Sequence, residues 1–316
     1  MRLTRQRGVA VVTALLLTTL AVTIVASLFW QQQVQVRTME NQRLQLQTRW
    51  ILRGALDYAR LILHSDASFN QWTSLDQVWA TPLAETRLDQ YIERERIEGE
   101  SFDATLSGRI IDAASRYNLR SLADGGMIIP EEVEVFGNLL ERLQLNRALA
   151  QRVAQAVLRA QVGAPPQQGA GGAAPQASGQ GRPIGLSSVD DLLAVEGFTP
   201  AMVAKLREFV IVLPKRSRVN VNTASAEVLA AVMGKSVGEA NALVAARKTA
   251  AFKEDSDFEN RARFTPKGLK TYAVVSEWFL VESRIRLDRA ALNTQALINR
   301  QLAAPRSTTL VWIRQN

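Results

Sequence analysis

The chain of 316 residues has no cysteine and a single histidine, His64. The first absence excludes a disulfide framework and a thiol nucleophile. The second leaves too few imidazoles for a histidine-rich zinc site or a supported Ser-His-Asp triad. His64 follows the apolar run 61–63 on an expected helix and reads as structural or surface. Such a composition fits a non-enzyme. Charge is also missing, completely, from residue 9 to residue 30. At about 1.5 Å per helical residue, this uncharged run spans about 33 Å, enough to cross a hydrocarbon core of about 30 Å.

The stretch after Trp30, QQQVQVRTMENQRLQLQTRW, lacks proline and glycine, so nothing stops the helix where it leaves the bilayer. A secretory signal has a shorter apolar region and a cleavage site of small residues. One continuous rod is therefore expected. Arg2, Arg5 and Arg7 precede the span and no arginine lies inside it. That asymmetry puts the short N-terminal end in the cytoplasm and everything after Trp30 on the other side, with Trp30 at the interface. The formal charge of +8 falls to +5 if those three arginines are lost, a modest surplus that requires no nucleic-acid partner.

Beyond the membrane, Leu44, Thr48, Ile51, Leu52, Ala55, Ala59 and Ile62 recur at three- and four-residue steps and put one apolar stripe on the helix. That stripe and the faces around it are the expected partner surface, and the stripe needs a sheet to cover it. Alternating segments at 102–111, 272–287, 291–300 and 308–314 read as its strands. About 160 helical-looking residues separate the first from the rest, and a lone strand has no stability of its own. The expectation is an α+β fold in which a large all-α domain is inserted into an antiparallel sheet. Its parts are 1–8 ahead of the span, 9–30 in the membrane, 31–66 as the helix's continuation, 67–112 with the first strand, 113–268 as the insert, and 269–316 with the remaining strands. Within the insert, 19 of the 21 residues at 163–183 are Gly, Pro, Ala or Gln, which reads as a mobile loop.

Several polar clusters stand out in the insert. Asn222, Thr223 and Ser225 precede AEVLAAVM, and Ser187 and Ser188 with Asp190 and Asp191 precede LLAVEG. Both patterns suit helix N-caps, and the acidic residues suit the helix dipole. The pair of short helices in 186–247 also resembles helix-hairpin-helix modules, which would make the chain a membrane-anchored DNA receptor. Its hairpins, GKSVG at 234–238 and EGFT at 196–199, lack the tight Gly-x-Gly that brings backbone amides to phosphate.

A family resemblance ties these pieces together. Arg5, Arg7 and Gly8 before an apolar helix resemble the class III leader of type IV pilins and pseudopilins, although an ordinary signal anchor shares the basic flank. By that resemblance a prepilin peptidase cuts between Gly8 and Val9, next to Arg7, and the new terminus is methylated. Thr13 stands where most of these proteins carry glutamate. Asp112 with Asn118, Leu119 and Ser121, then Asp190 and Asp191, then Asn220, Asn222, Thr223 and Ala224 are similar to the insert motifs of the minor pseudopilin K family of type II secretion systems. The resemblance implies a type IV pilin-like fold and a subunit at the pseudopilus tip that helps start assembly and export of folded proteins. It implies a single-pass protein of the Gram-negative inner membrane with its bulk in the periplasm. Its partners would be minor pseudopilins I, J and H, the inner-membrane assembly platform, prepilin peptidase and secreted proteins, with no nucleic acid. The family's calcium site is associated with an acidic stretch where this chain reads VLRAQV at 157–162, so no metal or other cofactor is expected.

Overall fold

The computed structural model describes residues 7–88, 104–162 and 185–315. The first six residues, the beginning of the expected strand at 102–103 and the 163–183 loop lie outside them. The first element, α1 (Arg7–Phe69), is one helix of 63 residues, about 95 Å long at 1.5 Å per residue. Its apolar part from Ala10 is long and apolar enough to cross a membrane. Threonines there are satisfied within the helix. Thr13 Oγ1 donates to the Ala10 carbonyl at 3.0 Å and Thr23 Oγ1 to the Thr19 carbonyl at 2.6 Å. The helix runs past the expected end at 66, and closes where Asn70 donates to the Asp66 carbonyl through its backbone and to the Asp66 carboxylate through its side chain.

After a short 3₁₀ turn at Val78–Ala80 come β1 (Leu83–Arg87) and β2 (Ala104–Asp112). The chain then leaves the sheet. It forms β3 (Tyr117–Asn118), a small hairpin of β4 (Ala123–Asp124) and β5 (Met127–Ile128), α2 (Pro130–Arg142) and α3 (Leu149–Val162). It continues through α4 (Pro200–Leu206), β6 (Val210–Ile211), β7 (Val219–Asn220), α5 (Ala226–Met233), α6 (Val237–Thr249), α7 (Asp255–Ala262) and β8 (Tyr272–Ala273). Three long strands, β9 (Trp278–Leu287), β10 (Ala290–Gln301) and β11 (Ser307–Gln315), complete an antiparallel sheet in the order β1-β2-β9-β10-β11.

Side-chain alternation along the strands gives this sheet two buried faces. Phe279, Val281, Ile285, Ala296 and Ile298 face α1, with Trp79 packed edge-on to Phe279 at 5.2 Å. The helix meets them with Leu52, Leu56, Ala59 and Leu63, which are 5, 2, 5 and 0% exposed. The expected stripe is thus rotated slightly, because Ile51, Ala55 and Ile62 are only half-buried at its margin. Trp278, Leu280 and Leu297 face the other way, onto Ile211 and Leu213 of the insert. The sheet therefore lies between the helix and the insert.

Two features of the insert correct the expectations. It is not all-α, because β3 pairs in parallel with β6 and β7 with β8. The expected strand at 272–287 is broken, since Tyr272 and Ala273 pair with Val219 and Asn220 inside the insert. Val274 belongs to the insert's core and the sheet resumes only at Trp278, so the insert ends near Ser276 rather than at 268.

Candidate functional site

Three of the residues singled out in the motifs, Asp112, Asn220 and Thr223, converge where the insert leaves and rejoins the sheet. Asp112, the last residue of β2, is buried, and its carboxylate is surrounded by donors. Oδ2 accepts from Asn220 Nδ2 at 2.8 Å, Thr223 Oγ1 at 2.6 Å and Ser276 Oγ at 2.7 Å, while Oδ1 accepts from the Ala114 amide at 2.8 Å. Burial raises the Asp112 pKa above the usual carboxylate range, and the four hydrogen bonds pull it back. Asn220 is oriented from both ends. Its Oδ1 accepts from the Asn222 amide at 3.0 Å, and its Nδ2 also donates to the Thr73 carbonyl at 3.0 Å.

Asn222 and Thr223 do not cap the next helix. The Asn222 side chain bonds the Phe252 backbone in both directions at 2.8 Å, Thr223 reaches Asp112, and the α5 N-cap is Ser225 alone. Asn222 and Thr223 are buried tethers rather than caps because the backbone at 252 and the carboxylate at 112 reach them first. Ala224 and Leu119 are buried among apolar neighbours. Asn118 Oδ1 accepts from the Arg120 and Leu213 amides at 3.1 Å, and its Nδ2 donates to the Lys215 carbonyl at 2.8 Å. Ser121 Oγ donates to the Ser217 carbonyl at 2.8 Å. The expected helix is a 3₁₀ segment at Val189–Ala194 with Ser188 at its N-cap, and Asp191 in its first turn accepts from the Ser187 and Ser188 amides at 2.7 and 2.9 Å. Asp190 instead pairs with Arg207 at 2.6 Å.

A second buried group, missed from sequence, adjoins the first. Arg300 of β10 lies over the Phe279 ring and donates from Nη1 to Asp66 Oδ2 at 2.7 Å. Its Nη2 donates to Thr73 Oγ1 at 2.7 Å and to the Ser276 carbonyl at 2.9 Å. Burial lowers the pKa of this guanidinium and Asp66 raises it again. Thr73 and Ser276 therefore link the Asp66–Arg300 pair to Asp112, joining α1, the sheet and both ends of the insert. One signal was present in the sequence. Arg300 falls on the same side of β10 as Ile298 and Ala296, and Asp66 follows Leu63 by one helical step, so opposite charges occupy two faces that otherwise pack together.

This arrangement is a structural clasp. The hydroxyls of Thr223 and Ser276 are buried and committed to the Asp112 carboxylate, and His64 is exposed on α1. At 157–162, where the resemblance places the calcium site, the side chains include no carboxylate. Val157 is buried in the insert core, Gln161 donates to the Ala123 carbonyl, and among the described residues no three Asp, Glu or His side chains converge. The α5–α6 hairpin is equally unsuited to gripping phosphate. The Gly234, Lys235 and Ser236 amides already donate to the Ala231 carbonyl, the Ala230 carbonyl and Glu239 Oε2.

Sequence models described as type II secretion system protein K match residues 115–215 and 219–276, half of the chain between them. The chain belongs to this protein K family of minor pseudopilins. Among its relatives, type II secretion system protein K of Pseudomonas aeruginosa is 29% identical over 301 residues, covering 89% of this chain and 85% of the relative. The same protein of Pectobacterium carotovorum subsp. carotovorum is 25% identical over 321 residues, with 93% of each chain covered. The fold is similar to a chain in the crystal structure of the GspK-GspI-GspJ complex from enterotoxigenic Escherichia coli, with a TM-score of 0.60 and 17% identity, covering 89% of this chain and 99% of that one. Members of the family are structural components of the secretion machinery, not enzymes. The long apolar helix at the N-terminus fits a single-pass inner-membrane anchor.

Proposed function

We propose that this minor pseudopilin occupies the tip of the type II secretion pseudopilus, helps start its assembly on the inner-membrane platform and supports export of folded proteins. Thr13 carries the reading. In pilin-like chains the acid at this place is thought to meet the terminal amine of a neighbouring subunit, and a tip subunit has no subunit ahead of it. Thr13 meets its own helix carbonyl instead, at 3.0 Å, which avoids an isolated acid in lipid. The insert supports the same position, because its bulk on one face of the sheet would obstruct a subunit stacked above.

Partners in this reading are pseudopilins I and J, with H following. The related Escherichia coli chain was solved in complex with I and J. The helix stripe itself is covered by the sheet, so it is not the partner surface. The opposite side of α1 is open, with Met39, Leu46, Trp50 and Leu61 falling within about 60° of one another at 100° per residue. Trp50 and Leu61 are 68 and 64% exposed, which suits packing against neighbouring helices. Prepilin peptidase removes 1–8, the new terminus at Val9 is methylated, the N-terminal end faces the cytoplasm, and the globular part lies in the periplasm and works without calcium.

The test is purification of the full chain, in detergent, from cells expressing the whole system. Co-purification of two small pseudopilins and a mass beginning at Val9 support the assignment. An intact Met1 in the membrane-resident protein refutes cleavage, and salt-sensitive nucleic acid in place of pseudopilins moves the assignment to a DNA receptor. Thr13→Glu leaves secretion equal or impaired. If that variant is incorporated along the filament with normal secretion, the tip position is wrong.

A further inference from the structure

We propose that the cleft between the insert and the sheet binds a carboxylate-bearing, partly apolar peptide segment of a partner protein. The cleft has a volume of about 500 Å³ and is bordered by the segments that lead into β7 and β8 and from β8 to β9. Three cations line it, Arg216, Arg218 and Lys270, against one carboxylate, Glu277. Each has a carboxylate partner that does not line the cleft, and two of the three pairs are long. Arg216 reaches buried Glu132 only at 3.4 Å, and its side chain is 25% exposed. Arg218 has its nearest carboxylate, Asp255, at 3.8 Å and donates no hydrogen bond among the described residues. Lys270 bonds Glu259 at 2.5 Å with one of its three donors.

A planar guanidinium fork donates two parallel hydrogen bonds to a carboxylate. The remaining lining selects among anions. Leu269 and Val275 border the same space and are accessible from it, so they would meet the aliphatic part of a peptide. Trp278 is almost completely buried, so it offers no face on which a nucleobase could stack. An acidic peptide therefore fits better than nucleic acid or a bare phosphate. This inference does not depend on the tip assignment.

The test uses the full chain in detergent and a short fluorescein-labelled peptide of alternating Glu and Leu, followed by fluorescence anisotropy at low salt. The Glu-Leu peptide should bind and a Lys-Leu peptide should not. Arg218→Gln combined with Lys270→Gln should weaken binding at least about tenfold, with an unchanged melting temperature, because both side chains are partly exposed and Arg216 still pairs with Glu132. If the double variant melts lower, Arg218→Lys provides the reading. It keeps the charge but loses the fork, and binding should weaken several-fold. Equal binding by parent and variants overturns the proposal, as does displacement of the peptide by inorganic phosphate at equal concentration or tighter binding of duplex DNA.

Discussion

Replacing Asp112 by asparagine changes the side chain by one atom and should nevertheless destabilise the protein by about 2 kcal/mol. Every neighbour of this carboxylate is a donor: an amide nitrogen, two hydroxyls and a backbone N–H. The hydroxyls of Thr223 and Ser276 can rotate and turn a lone pair toward a new donor. The other two cannot. Asn220 is held by the Asn222 amide on its Oδ1 at 3.0 Å, so its Nδ2 must stay pointed at position 112, 2.8 Å away. An asparagine placed one way directs its own NH₂ at Asn220, and flipped it directs that group at the Ala114 amide. Either choice strands one buried donor, worth about 1–3 kcal/mol, and replaces charge-assisted bonds by neutral ones. Relief from burying a charge, whose cost is visible in the raised pKa of Asp112, works in the opposite direction and keeps the loss near the middle of that range. In a protein of this size about 2 kcal/mol lowers the melting temperature by roughly 4–8 °C. Urea unfolding of the full chain in detergent, read by tryptophan fluorescence, measures it directly, with Ser276→Ala as a milder companion. A midpoint for Asp112→Asn equal to or above that of the parent would refute the picture of a carboxylate enclosed by donors.

The Asp66–Arg300 pair is buried on both sides, so Asp66→Ala alone should cost about 3–5 kcal/mol by leaving Arg300 unpaired, whereas Asp66→Leu with Arg300→Met should recover most of it in the same unfolding assay. Glu132 is 1% exposed, and burial lifts its pKa to about 7. Its folded pKa lies above the unfolded value, so this group favours the fold below about pH 4.5, and the benefit disappears as pH rises through 7. The parent should therefore lose up to about 3 kcal/mol between pH 5 and 8 relative to Glu132→Gln, and parallel profiles would contradict the assignment. Thermal midpoints in excess chelator and in calcium should coincide, since ligand at 100 times its dissociation constant would add about 2.7 kcal/mol, and a rise of several degrees would reveal carboxylates converging outside the described residues. Lys248→Glu should leave secretion intact. Arg247→Glu should destabilise the insert, because Arg247 is half-buried and donates to the Val221 carbonyl at 2.6 Å.

Periodicity carried much of the architecture. The uncharged run at 9–30, the three- and four-step stripe on the helix below it and the alternating segments near the two ends of the globular part are local patterns. Each reflects a surface that must be buried, so each predicts its element and the face that element covers. The strand β1 escaped because LAETR at 83–87 is short and exposed, with little to mark it except its pairing with β2. The break between β8 and β9 escaped because apolar residues flank Ser276 and Glu277 on both sides, and only tertiary contact decides that Tyr272 and Ala273 pair with β7 while the sheet resumes at Trp278. The motif residues were legible as a set, and their roles were not. Asn222 and Thr223 have the chemistry of helix caps, and within a few residues of sequence nothing competes for them. In the folded chain Thr223 meets a carboxylate 111 positions away and Asn222 meets backbone 30 positions away. Asp66 and Arg300, separated by 234 positions, are invisible as a pair until the helix lies on the sheet. Apolar patterning repeats along the chain and is read locally, whereas a buried polar group takes its meaning from the particular atom the fold brings within hydrogen-bond reach.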